Sequence, residues 1–335
     1  LVILKYLLII TVIFFAADII YLSFRDKLSP NLKITVIDVG QGNSTLVRFP
    51  GGGNMIIDGG GFSDSSFDIG KVVLAPFLYH ERISNVDTVV LSHPHPDHLL
   101  GLIYIMNNFN VRQVWRSNLP IDLEDYPEWE KAIKLNNINV SLVSNHGYEP
   151  QSEFRSSYPP LRGIVQLTNS VPLRFRNWSF NNKSPEKIFN AFRVNVLWPS
   201  NYSAQETNNL SYDEVNDASL VLKITFGKIS FLIPGDISAD VEKRLIESKI
   251  DLRSDVLVVP HHGSGYSSSA EFIKAVACRY AIVSAGKANV FHHPHPSVLQ
   301  RYKEAGVNIL RTDRDGAVTI TTDGNDLQIN TFIKQ

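Results

Sequence analysis

The segment His93-Pro94-His95-Pro96-Asp97-His98 packs three imidazoles and a carboxylate into six residues. Imidazole nitrogens and carboxylate oxygens are the ligands that zinc and other divalent ions take. The segment follows an apolar, buried-type strand and opens a helix. On the loop, His93 and His95 can point to one side, while Asp97 and His98, on the first helical turn, point to another. That geometry suits two neighbouring divalent metal ions, Zn2+ or Mn2+. A solvated, Pro-rich surface loop is the plain alternative, and it leaves so dense a ligand set unexplained.

The elements that must position this segment run the length of the chain. Its 335 residues, 44% apolar, suffice for one large α/β domain or two small ones. Strand patterns fall at Lys33 to Val39, Ser44 to Phe49 and Asn54 to Asp58, joined by Gly-rich turns. Helical spacing at Ile69 to Ile83 precedes the short apolar strand Thr88 to Ser92, and Asp97 to Phe109 is helical. In the second half, strands Ser219 to Phe226 and Ile229 to Ile233 flank a Gly227-Lys228 turn. Further strands and helices alternate to the closing strand Leu327 to Phe332. Strand runs in each half, interleaved with helices, predict two packed sheets with helices outside, a four-layer αββα sandwich. Residues 150–192 break the rhythm and read as an insertion or long loop.

Formal net charge is −1, so no global basic excess announces a nucleic-acid partner. The single cysteine, Cys278, excludes an intramolecular disulfide. Before the domain, residues 1–30 hold an N-terminal hydrophobic segment: Leu7 to Ala17, then Asp18, then Ile19 to Phe24. A basic start followed by an apolar run predicts a signal segment or, since no small-x-small cleavage site precedes the domain, an uncleaved membrane anchor. A buried strand or helix is the alternative. Membrane-anchored or exported location, with an extracytoplasmic domain, is the corresponding expectation. The α/β domain itself then spans 31–335.

The sequence resembles the metallo-β-lactamase superfamily in the histidine-rich segment, in Asp58-Gly59-Gly60 upstream, in Pro234-Gly235-Asp236 and in Pro260-His261-His262-Gly263-Ser264. More narrowly, Asp38-Val39-Gly40-Gln41-Gly42-Asn43, Asn216-Asp217-Ala218-Ser219 and the His293-Pro294 region resemble the hydrolase domain of ComEC-type DNA-uptake proteins, without their channel. The resemblance covers Lys33 to Phe332. It implies a metallo-β-lactamase sandwich with His93 and His95 at one metal site, Asp97, His98 and His261 at a second, and Asp236 bridging both. Asp236 also stands by itself as a carboxylate presented by a Gly turn at a strand end, or as a helix N-cap. His261 emerges where a buried strand ends; His262 is the alternative ligand, and a packed histidine the plain reading. Many relatives place another histidine near Asn216 or Asp217; this chain has none there, so Asp217 or water would complete the first site. His146, at the end of an earlier strand, is expected to lie off the metal.

Asp58 and Asp38 fit roles that hold the ligand loops, and Gly40 and Gly42 a tight turn. His293 and Ser264 are candidates to contact a substrate phosphate or donate a proton to the leaving oxygen. Asp97 and Asp236 would orient the nucleophile. His292 and His295 read as solvated neighbours and His80 as a surface residue. The subgroup resemblance favours a phosphodiester substrate, DNA or RNA first. Within the insertion, Arg155, Arg162, Arg174, Arg176, Lys183 and Lys187 with Tyr158, Phe175, Trp178 and Phe180 could track a phosphate backbone, or form a plain polar loop. An envelope hydrolase of a non-nucleic diester or ester, and a non-catalytic uptake accessory, are the rival classes. No protein partner is inferable.

Overall fold

The computed structural model describes residues 2–25, 29–62, 67–119, 126–144, 147–150, 192–199 and 210–333. In the first half these form α1 (Val2–Arg25), β1 (Leu32–Val36), β2 (Thr45–Arg48), β3 (Asn54–Ile57), a π-helical turn (Gly70–Leu74) leading into α2 (Ala75–His80), β4 (Asn85–Val90), α3 (Pro96–Asn108), β5 (Asn110–Arg116), α4 (Tyr126–Leu135), β6 (Asn139–Ser144) and β7 (Gly147–Pro150). The second half begins with β8 (Phe192–Trp198), α5 (Tyr212–Asp217), β9 (Val221–Phe226), β10 (Ile229–Ile233), α6 (Ala239–Glu247) and β11 (Val256–Val258). After a tight turn at Pro260–Gly263 come α7 (Ala270–Val276), β12 (Tyr280–Val283), α8 (Pro296–Glu304), β13 (Asn308–Arg311), α9 (Thr312–Asp315), β14 (Val318–Thr322) and β15 (Leu327–Thr331).

Two sheets result. The first has strand order β15-β14-β1-β2-β3-β4-β5-β6-β7, the second β13-β12-β11-β10-β9-β8. Because side chains alternate faces along a strand, each sheet feeds two cores. Met55, Ile57 and Val90 join Val256, Val258 and Ile282 between the sheets. Their neighbours Ile56 and Val89 turn outward onto Leu78, Leu102 and Trp129 of α2, α3 and α4. Leu257 and Ala281 likewise face Leu245, Phe272 and Tyr302 of α6, α7 and α8. Three apolar seams thus separate four layers, helix–sheet–sheet–helix, as the alternation in the sequence predicts.

β3 through β6 pair in parallel, and so do β10 through β13. Parallel strands deliver their C-terminal ends, and the loops that follow, to one rim of a sheet. The histidine-rich segment follows β4, Asp236 follows β10, and the Pro-His-His turn follows β11. The two rims are tied together: Leu220 N donates to the Ser92 carbonyl at 3.0 Å, and Ser284 Oγ to that of Gly42 at 2.8 Å. Gly42, at φ +93°, lets the backbone pass Asp97 so closely that a Cβ there would sit 1.8 Å from the Asp97 carbonyl oxygen.

The expected membrane anchor is not supported. Val2–Arg25 is one helix, and its apolar side chains from Ile3 to Phe15 are exposed. Yet among the described residues no helix is long and apolar enough to cross a membrane. His146 and the basic and aromatic residues of the insertion from Arg155 to Lys187 lie outside the described residues.

Candidate metal centre

Ligand geometry begins with tautomers. His98 places Nδ1 2.8 Å from Asp58 Oδ2, His95 places Nδ1 2.8 Å from Asn216 Oδ1, and His262 places Nδ1 3.0 Å from the Ser284 carbonyl. Each partner is an acceptor, so each imidazole donates from Nδ1 and leaves Nε2 as the nitrogen turned to the cluster. His93 Nδ1 lies between Ser92 Oγ at 3.0 Å and Ser219 Oγ at 3.2 Å. Among the described residues the four Nε2 atoms have no hydrogen-bond partner though buried, and the same holds for Asp236 Oδ1.

Orphaned buried nitrogens are costly unless something binds them. Here they converge: Asp97, His98, Asp236 and His262 each offer a ligand atom, all within 4.8 Å of one another. His98 Nε2 and His262 Nε2 both stand 3.2 Å from Asp236 Oδ2. His93 and His95 adjoin this group, with ring centroids of His93 4.1 Å from His98 and 4.8 Å from His95. The residues fit a divalent ion in donor chemistry, in convergence and in the fixing of every ring from behind.

Electrostatics agree. Burial disfavours an imidazolium at His98, but the Asp236, Asp58 and Asp97 carboxylates overcome it and raise its pKa well above the ordinary range. His262 is pushed up to about 10 against the same burial by Asp236 and Asp97. Asp236 is held well below the usual carboxylate range because His262, His98 and His261 outweigh its burial. The cluster therefore sets its negative oxygens against protons on these imidazoles, and a bound cation would displace the Nε2 protons and carry that positive charge instead.

The structure separates the neighbours His261 and His262. The sequence reading gives the ligand position to His261, but His262 turns inward and is buried, while His261 Nε2 is 3.9 Å from Asp236 Oδ2 and its side chain 21% exposed. The cause is local. Both residues are left-handed, at φ 49° and 54°, so the chain reverses within the turn and carries the second imidazole under the first. His261 instead faces His293, at a ring-centroid distance of 5.8 Å. His293 is held by Asn289, whose Oδ1 accepts from His293 N at 2.9 Å. Burial and then the charge of His262 push the His293 pKa down to about 4.

Other candidates are placed behind or beside the cluster. Asp58 accepts from Ser92 N at 2.8 Å and from Ser92 Oγ at 2.7 Å, in addition to His98, so it holds the ligand loop. Asp38 is exposed and accepts from Gly40 N at 3.2 Å. Ser264 Oγ accepts from Tyr266 N at 3.4 Å, within its own turn. Asp217 Oδ1 accepts from Ser238 N at 3.0 Å and so faces α6. His295 accepts from Ser297 N as the N-cap of α8. His80 and His292 are exposed.

Two contributions were not foreseen, and both come from α5. Asn216 positions His95, and Tyr212 stacks on it, at a centroid distance of 3.6 Å and an interplanar angle of 13°. The local signal was present as Ser211-x-x-Glu214, which forms a full capping box at the start of that helix.

Residues 37–166 match the metallo-beta-lactamase superfamily. Over that segment the chain is similar to metallo-β-lactamases, and over most of its length it is similar to proteins named for competence. ComE operon protein 3 of Bacillus subtilis (strain 168) is 29% identical over 302 residues, covering 87% of this chain and 33% of that protein. Competence protein ComA of Neisseria gonorrhoeae is 27% identical over 302 residues, covering 89% of this chain and 34% of that protein. Recombination protein 2 of Haemophilus influenzae is 26% identical over 290 residues, covering 86% and 29%. The chain spans about a third of the length of these relatives.

Proposed function

We propose that this domain is a metal-dependent phosphodiesterase acting on DNA or RNA. The carrying observation is the set of inward Nε2 atoms around Asp236, each imidazole fixed at Nδ1 by a neighbour. We assign two divalent ions, Zn2+ or Mn2+: one to His93, His95 and Asp236, the other to Asp97, His98, Asp236 and His262. When bound, such a pair supplies Lewis-acid stabilisation of developing negative charge and makes a water molecule more acidic.

The protein's own residues do the rest. Asp97 and Asp236 are ionised near neutral pH, because the flanking imidazoles outweigh burial at both. They can orient a water molecule as acceptors and cannot serve as acids there. His293, with its pKa near 4, is a neutral imidazole at pH 7. It can donate a hydrogen bond to a substrate oxygen and take a proton, which favours a binding role over that of general acid. Competence and recombination, as the relatives are named, direct the choice of substrate to nucleic acid. Association with a membrane belongs to the same proposal and is motivated by the exposed apolar side chains from Ile3 to Phe15.

The test is hydrolysis of oligonucleotides beside a small chromogenic diester, with Mn2+ or Zn2+ added. Chelation should abolish turnover, and Asp236→Ala should lower it by roughly 100-fold or more, as for loss of a charged catalytic group. Cleavage of a non-nucleic envelope diester or ester in place of oligonucleotides would favour the rival hydrolase; no metal-dependent turnover of anything would favour a binding accessory.

A further inference from the structure

The rings around the centre form one unbroken series. Tyr212 stacks on His95, His95 meets His93, and His93 meets His98. His98 meets His262, His262 meets His261, and His261 meets His293, which stacks against Phe291 at 5.9 Å and 24°. The imidazoles of the proposed metal centre occupy the middle. The two ends, Tyr212 and Phe291, are carbon rings standing 60% and 56% exposed.

Exposed aromatics on mobile side chains would mean little. These two are held. Tyr212 begins α5, whose capping box fixes the turn and whose Asn216 grips the same histidine on which Tyr212 lies. Phe291 sits in a loop bracketed by Asn289, which accepts from His293 N and donates through Nδ2 to the carbonyls of Gly286 and His293. Each therefore presents a flat apolar face at a fixed place beside the reacting centre, one at each end of the ring series.

We infer that Tyr212 and Phe291 are base-stacking platforms that seat the nucleotides flanking the scissile phosphodiester. The substrate is accordingly single-stranded nucleic acid. Every base has a π-face, so stacking tolerates any sequence. A duplex keeps those faces covered by its own neighbouring pairs and cannot offer them without unstacking. The inference rests on the phosphodiesterase reading above and adds to it the strandedness of the substrate and the residues that select it.

The experiment compares kcat/KM for a single-stranded oligonucleotide, for the same strand with abasic sites flanking one phosphodiester, and for the duplex, using this chain loaded with Mn2+. The parent protein should prefer the base-bearing strand over both others. In Tyr212→Ala and Phe291→Ala the ratio of base-bearing to abasic rates should fall roughly tenfold, the scale of one lost base–aromatic stack. Tyr212→Phe and Phe291→Tyr should restore the ratio, because they keep a ring. An equal loss on both strands in the alanine variants would show that the rings only support the centre, and would overturn the inference while leaving the phosphodiesterase standing. A parent protein that cuts duplex as fast as single strand overturns it too. Absence of turnover on all three substrates would remove both readings together.

Discussion

His261 and His262 are consecutive in the chain and stand in different chemical worlds, one at the rim and one beneath it. If the inward imidazole is the ligand, His262→Ala should lose metal from the cluster, while His261→Ala should keep it. The measurement is metal content after gel filtration, by elemental analysis; equal losses in both would refute the assignment. Asp58→Asn tests the next layer. It weakens the acceptor that holds His98, and a roughly 10- to 100-fold drop in metal affinity is expected, read by titration against a competing chelator. At this scale the sequence was legible where ligands are contiguous. His93, His95, Asp97 and His98 sit in one short run, and type and spacing suffice. The choice between His261 and His262 was not legible, because it depends on two successive left-handed residues that no alternation rule anticipates. Ser264 Oγ accepts from Tyr266 N within its own turn and keeps its O–H free to donate.

Among the elements, the long periodic strands and helices were readable, since their apolar spacing must match the faces they bury. α5 was not, being six residues long and carrying little apolar periodicity. Its contribution can be isolated with Asn216→Ala, which frees His95 Nδ1. The ion at His93 and His95 should then bind roughly 10- to 100-fold more weakly, with the other ion unaffected, as two-site calorimetry would report. A second element property concerns α6. Glu242 is buried and accepts from Ser269 N at 2.8 Å and from Ser268 N. Burial outweighs those bonds and raises its pKa from an ordinary 4.5 to about 7. Between those values the folded protein holds a proton that the unfolded chain has released, so stability falls as pH rises from 4.5 to 7 and stays low above it. The shift corresponds to about 3 kcal/mol. Urea unfolding at pH 5 and pH 7.5 should show this slope in the parent and lose it in Glu242→Gln; an identical slope in both would exclude Glu242 as its source.

Across the whole molecule, composition and strand–helix order were enough to give the layers, but not the strand order. The chain's end returns to the first sheet, where β14 pairs with β1 and β15 with β14. Such long-range pairing leaves no local trace. The meeting of the two rims is equally non-local, and Gly42 shows its tolerance. Gly42→Ala would force a Cβ into the Asp97 carbonyl from a left-handed backbone. It should cost about 1–3 kcal/mol in strain and more as the rims part, lowering the midpoint of thermal unfolding. The proposed ligands are divided between those rims: His93, His95, Asp97 and His98 belong to the first sheet's loops, Asp236 and His262 to the second's. An ion held by both sets is a bond between halves of the sandwich that the unfolded chain lacks. Ambient metal then becomes a thermodynamic variable of folding itself. Free ion at a hundredfold its dissociation constant would add about 2.7 kcal/mol per site. The same chain would resist heat and proteolysis where the ion is plentiful and loosen along the seam between its sheets where the ion is scarce.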